Sequence, residues 1–198
     1  MRALAPVRTV APAGELLSLA GAKAHLRVEH GDEDALIAAL VAAAADHLDG
    51  YRGILGCALL AQTWARSFDG FPCGPHIRVP FGPLRSGATI SYFDAAGDAQ
   101  SFAAFHAVED ALGPVLMLED GASWPSTATR PDAVTVTWPC GFSVSADDPG
   151  FPVAVLQAVK LLIAHWYENR AGVITGTISA ELAWTIAALL APLRKVGV

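Results

Sequence analysis

The 198-residue chain is short of charge: aspartate, glutamate, lysine and arginine make up 16% of it, against 53% hydrophobic residues. That composition excludes an intrinsically disordered chain, which needs high charge and little apolar material. Basic residues are the scarcer sign, 13 against 19 acidic, giving a formal net charge of −6. A nucleic-acid grip through a basic patch is therefore not expected, although a protein that surrounds DNA without gripping it fits the same balance. Cysteine is nearly absent. Cys57, Cys73 and Cys140 are odd in number and form no CxxC pair, which argues against a disulfide framework or a zinc ribbon and for a reduced, cytoplasmic setting. No apolar run is long and uncharged enough to span a bilayer, and Pro6, Pro12 and Gly14 break the start as a secretory leader.

Chemistry is scarce as well. His25, His30, His47, His76, His106 and His165 are scattered without HExxH spacing, and His25 and His30 straddle a helix end. Lys23, Lys160 and Lys195 lack a glycine-rich approach, so no P-loop exists. Gly141-Phe142-Ser143-Val144-Ser145 lacks the second glycine of a nucleophile elbow. Asp32/Asp34 and Asp147/Asp148 read as caps and solvated turns, and nothing near Cys73 in sequence would activate its thiol. No catalytic, cofactor-binding or metal-binding residue is assigned, and no enzyme activity is expected.

What is present is alanine-rich helical periodicity at both ends and alternation in the middle. Residues 1–17 read as a loose arm. Ser18 is a good N-cap for a short helix, though a capping box would want Glu or Gln where Gly21 stands. Asp32 is expected to cap a second helix with Glu33 and Asp34 in its first turn. Its apolar residues recur from Leu36 and Ile37 to Tyr51 and Leu55, with Gly53 and Gly56 closing it. From about residue 59 the period becomes two: Trp64, Arg66 and Phe68 alternate with Thr63, Ala65 and Ser67. Short strands are predicted around Ile77–Val79, Ala88–Phe93, Gln100–Val108, Val115–Leu118 and Val134–Trp138, with a hairpin loop at Asp94–Asp98 and a linker from Pro139 to Pro149. A third helix follows Pro152, its stripe running Val153, Leu156, Val159, Ile163, Trp166 and Tyr167. Ser179 caps a fourth, where Pro192 should kink or tighten the last turn before Arg194 and Lys195. The fold class is α+β: helices over 18–58 and 150–198, with an inserted antiparallel sandwich or barrel over 59–149 between the second and third.

The densest polar-aromatic block is His165-Trp166-Tyr167-Glu168-Asn169-Arg170. Spread around a helix it cannot face one site. It reads either as a core anchor with a polar helix end or as an inter-subunit surface, where tryptophan, tyrosine and arginine are enriched.

Pro152 through Arg170, which ends in this block, together with Leu17 through Val28, Asp32 through Ile37, Gln62-Thr63-Trp64, Ile77-Arg78-Val79-Pro80, Pro83-Leu84 and Leu189 through Arg194, resembles the phage head-tail connector (adaptor or head-completion) proteins over about residues 17–194. Gene transfer agents use similar parts. The resemblance implies a virion structural protein of the neck, assembled in the bacterial cytoplasm. Its helices would form a twelve-fold ring beneath the portal protein, continuing the DNA channel to a tail or stopper protein without sequence-specific DNA binding. It also implies interface roles for Trp166, Tyr167, Asn169, Arg170, Leu193, Arg194 and Lys195, the last three facing the portal. No membrane partner and no cofactor are implied. The competing readings are a β-sandwich ligand- or peptide-binding module presenting Trp64, Trp124 and Trp138, and a small enzyme using Cys73 or Ser143.

Overall fold

The computed structural model describes residues 1–12, 14–110, 112–142, 150–170 and 180–194, and it divides the chain into a β unit and a helical unit.

The β unit draws on residues 1–13 and 61–142. Its larger sheet has the order β1 (Val7–Val10), β2 (Gln62–Phe68), β8 (Val134–Cys140), β4 (Thr89–Phe93), β5 (Ala99–Phe102); the smaller runs β3 (His76–Arg78), β7 (Gly113–Leu118), β6 (Phe105–Asp110). All pairings are antiparallel. Neither sheet closes on itself, so the barrel form of the expectation is corrected to two open sheets. Alternation produces the core: Val134, Val136, Trp138 and Cys140 are buried on β8, and Trp64 stands opposite Trp138 in the register. Phe81, just after β3, lays its ring 4.7 Å from Trp64 and 6.3 Å from Trp138.

Three local expectations change. The arm contributes an edge strand, β1, whose pairing with β2 is assisted by Arg66 Nε donating to Leu4 O at 2.9 Å. The return strand expected over Gln100–Val108 is two strands in two sheets. Phe102 pairs with Ile90 near the start of β4, the ladder ends there, and the chain turns at Ala103 into β6. Pro139, expected in a linker, lies inside β8. It is tolerated because β4 pairs only as far as Thr137, so the missing N–H falls beyond that ladder, while Pro139 O accepts from Arg85 N at 2.9 Å. The Asp94–Asp98 loop forms as expected, with Asp94 Oδ1 accepting from the backbone of Ala96 and Asp98.

The helical unit draws on residues 14–60 and 143–196. Helix α1 (Leu19–Leu26) starts at Ser18, whose Oγ accepts from Gly21 N at 3.1 Å. A Cβ on Gly21 would stand 3.0 Å from Leu17 Cδ1, so the absent capping-box glutamate leaves room for the apolar residue before the cap. Helix α2 (Asp34–Leu48) buries Ile37, Val41, Ala44 and Leu48. It stops earlier than the periodicity implies. Gly50 turns left-handed (φ 70°), and Gly53 packs so tightly that a Cβ would lie 2.4 Å from the Leu48 and Asp49 backbone. Asp49 then accepts from Leu59 N at 2.7 Å, fixing the return. Helix α3 (Val153–Glu168) buries Val155, Ala158, Val159, Leu162 and Ile163, one residue off the stripe expected at its start, and Val153 is exposed. Helix α4 (Ala180–Leu190) runs into a 3-10 turn, Ala191–Leu193, where Pro192 tightens the chain as expected. The Ser179 cap, Ser143, most of the Pro139–Pro149 linker and Lys195 lie outside the described residues.

Candidate functional site

The end of α3 is where the sequence concentrates its polar and aromatic residues, and there the helix exhausts its intrahelical partners. Asn169 N donates to His165 O at 3.0 Å, and Asn169 Nδ2 donates to the same carbonyl at 2.8 Å. This ends the helix with a side-chain cap.

Tyr167 and Arg170, three residues apart, turn to one acceptor. The Tyr167 hydroxyl donates to Glu33 Oε2, and Arg170 Nη1 lies 2.6 Å from Glu33 Oε1. Arg170 folds back so that its Nε donates to Tyr167 O at 3.1 Å and its guanidinium lies 4.5 Å from the centre of the Tyr167 ring. The Arg170 guanidinium and then the Tyr167 hydroxyl hold the Glu33 carboxyl down at about 2. The same carboxylate pushes the Tyr167 phenol and the Arg170 guanidinium above their ordinary values. Each Glu33 oxygen thus serves a donor, and the cluster locks two helices rather than presenting a base.

Trp166 points away from this clamp. Its ring sits edge-on to His47, centroids 6.3 Å apart. Glu33 precedes the first turn of α2 and His47 lies in its last turn. A helix of that length spans about 22 Å, so the adjacent Trp166 and Tyr167 contact residues near opposite ends of α2. A further pair, Lys23 Nζ to Asp34 Oδ1 at 2.6 Å, joins α1 to α2. Leu193 is half-buried and Arg194 exposed; they extend from α4, away in sequence from the 165–170 block.

Two readings of the sequence are corrected. Asp32 does not cap α2: the N-cap is Glu33, which makes no side-chain cap bond, and Asp32 lies 3.6 Å from His30 Nδ1. The block expected to face no single site brings two of its residues, Tyr167 and Arg170, together at Glu33, with Arg170 over the Tyr167 ring. Glu33 is the residue that sequence reasoning missed, since an acid at a helix start reads first as a complement to the dipole. The available signal was the three-residue spacing of Tyr167 and Arg170, which brings two donors to one side.

The alternative readings find little support in the geometry. Trp64 and Trp138 are buried, and Trp124 stacks on Phe71 at 4.8 Å while its Nε1 donates to Gly74 O at 2.8 Å. No aromatic platform follows a sheet face from these three. Cys73 is exposed, and among the described residues no three His, Cys, Asp or Glu side chains gather to hold a metal ion.

No family model matches the chain, and no curated protein is similar to it in sequence. Solved structures are. One is a chain from the neck of an empty gene transfer agent particle computed with C6 symmetry, at 26% identity and TM-score 0.76, covering 98% of this chain and 97% of that one. Another, from the virion of a native gene transfer agent particle, has 26% identity and TM-score 0.74 with the same coverage. A third, from the neck of a native particle computed with C12 symmetry, shares the fold at 22% identity and TM-score 0.71. With its fold matched from end to end by chains from gene transfer agent particles, the chain is similar to structural proteins of such necks, and the likeness supports the resemblance to head-tail connector proteins.

Proposed function

We propose that this chain is the adaptor subunit of a head-to-tail neck, forming a ring beneath the portal protein that continues the DNA channel to the tail or to a stopper protein. The observation that carries this reading is the likeness over 98% of the chain to a chain from a neck structure, at TM-score 0.76. The C6 and C12 symmetry of the neck structures supports a ring, with twelve copies as the expected number. The role is structural and non-catalytic. A Glu33 carboxylate with both oxygens engaged suits rigidity, and a net charge of −6 suits a channel through which DNA moves without being gripped.

Within this reading, Trp166, Tyr167, Asn169 and Arg170 border a subunit interface, presented by the clamp that fixes the end of α3. Leu193, Arg194 and Lys195 form the portal contact, Arg194 and Lys195 being a positive pair in an acidic chain. Two particle preparations test the proposal. Cells lacking the chain should accumulate DNA-filled heads without tails. Cells carrying a chain truncated before residue 193 should make folded protein that fails to join heads. Normal yields of tailed particles without the chain would overturn the adaptor role. Normal yields with the truncation would move the portal contact elsewhere, most plainly to the β unit.

A further inference from the structure

Helix α4 packs on α3, yet much of its described surface is open. The ten residues from Trp184 to Leu193 contain no charge, and of Trp184 to Leu190 only Leu190 is buried. Trp184 is 74% exposed. A helix that keeps one face in water normally carries charges on it, and tryptophan is the side chain most enriched at the energetic centre of interfaces. A second apolar patch occupies a different part of the same unit. The turn after α2 presents Tyr51 (54% exposed) and Ile54 (42% exposed). This turn is a formed structure rather than a slack loop: Gly50 N donates to Cys57 O, Ile54 N donates to His47 O, and Gly53 allows the close return.

We infer that the open face of α4, with Trp184 as its anchor, docks against the Tyr51–Ile54 turn of a second copy of this chain. The inference rests on the ring reading above and names its contact. A head-to-tail ring needs two unlike patches on every subunit, each fitting the other on its neighbour. The helical unit carries two, on separate elements. The α4 face carries no charge from Trp184 to Leu190, while the turn sets the exposed Arg52 between Tyr51 and Ile54. Neck structures similar to this chain carry six- and twelve-fold symmetry, the setting in which such a pair of patches repeats. Burying one tryptophan removes about 150–250 Å² from water, so a single anchor would weigh heavily in a contact between small subunits.

Sedimentation of the full-length chain provides the test. Wild type, Trp184→Glu, Tyr51→Glu and an equimolar mixture of the two variants are compared over one concentration series, with circular dichroism melts to confirm folding. Wild type should associate as concentration rises, and each variant alone should remain monomeric with a normal melt. The mixture should form a two-chain complex and stop there, because each variant keeps the patch that the other has lost. Should Tyr51→Glu fail to fold, Ile54→Glu takes its place. Variants that associate like wild type, a mixture that stays monomeric, or a wild type that never associates would each overturn the inference. Failure of the underlying reading looks different. A neck ring seen in particles alongside a non-pairing mixture leaves the ring and removes this contact, while a pairing mixture from a chain absent in necks does the reverse.

Discussion

The β unit and the helical unit solve the same packing problem and leave different surfaces. In the β unit the aromatic side chains turn inward, with Trp138 and Phe68 fully buried and Trp64 and Phe81 beside them, and its exposed apolar side chains, Val7, Val10, Leu112 and Met117 among them, are not aromatic. Its exposed turns are closed by polar contacts such as Asp94 with Gln100 and Arg78 with Asp110. The helical unit buries mostly aliphatic residues and secures its helices with charge, through Glu33 with Tyr167 and Arg170 and through Lys23 with Asp34. It then leaves Trp184, Tyr51 and Val153 in the open. A unit that spends its aromatics on its own core behaves as a finished domain. One that holds itself together with ion pairs and displays its aromatics has the surface of an assembly component.

Substitutions can break this contrast, beginning with the largest effect. Trp138→Ala in the β unit removes a fully buried ring and should cost about 3–5 kcal/mol, read as an early β-unit transition in denaturant. A shift no larger than that of a surface substitution would show that the unit's core lies elsewhere. Trp166→Ala should cost less than that, because Trp166 is half-buried and rests on His47 at one edge only. If it cost as much as Trp138→Ala, the end of α3 would be as much a core as the β unit is. Ser18→Ala deletes the N-cap of α1 and should cost about 1 kcal/mol, confined to the helical transition in a chemical melt.

The finest distinction is in acid. Glu33 has its pKa lowered from 4.5 to about 2, and Asp110 its own from 3.8 to about 2, chiefly through Arg170 and Arg78 respectively. A lowered carboxylate contributes stability that is complete above its unfolded value and lost as pH falls through its folded value. The helical unit should therefore weaken between about pH 4.5 and 2, and the β unit between about pH 3.8 and 2. Melts of Glu33→Gln across this range should flatten the acid dependence of the helical transition alone, and Asp110→Asn that of the β transition alone. Equal flattening of both transitions by either variant would mean the units unfold as one.

Periodicity made the helices and most strands legible. The run from Leu36 to Leu48 and the alternation through Trp64 and Phe68 belong to segments whose own sequence selects their buried side. What was not legible depended on partners distant in the chain. Periodicity continued to Leu55 past the real end of α2, because Gly50 and the bond from Leu59 N to Asp49 decide where the helix stops. Ala103 and Ala104 gave no sign of a change of sheet, since the break follows from the length of β4 rather than from a turn residue. Pro139 read as a linker because its tolerance within β8 depends on where the pairing with β4 ends. At the site, Tyr167 and Arg170 were visible as a cluster, but their acceptor Glu33 lies 134 positions from Tyr167 and was read as a helix-end charge.

The most direct test of the neck assignment is cryo-electron microscopy of purified particles carrying this chain, reconstructed at the junction of head and tail. A ring of copies is expected at that junction, directly below the portal, with density fitting both the helical and the β units. Intact necks with no density for the chain, in particles from which mass spectrometry also finds it missing, would contradict it.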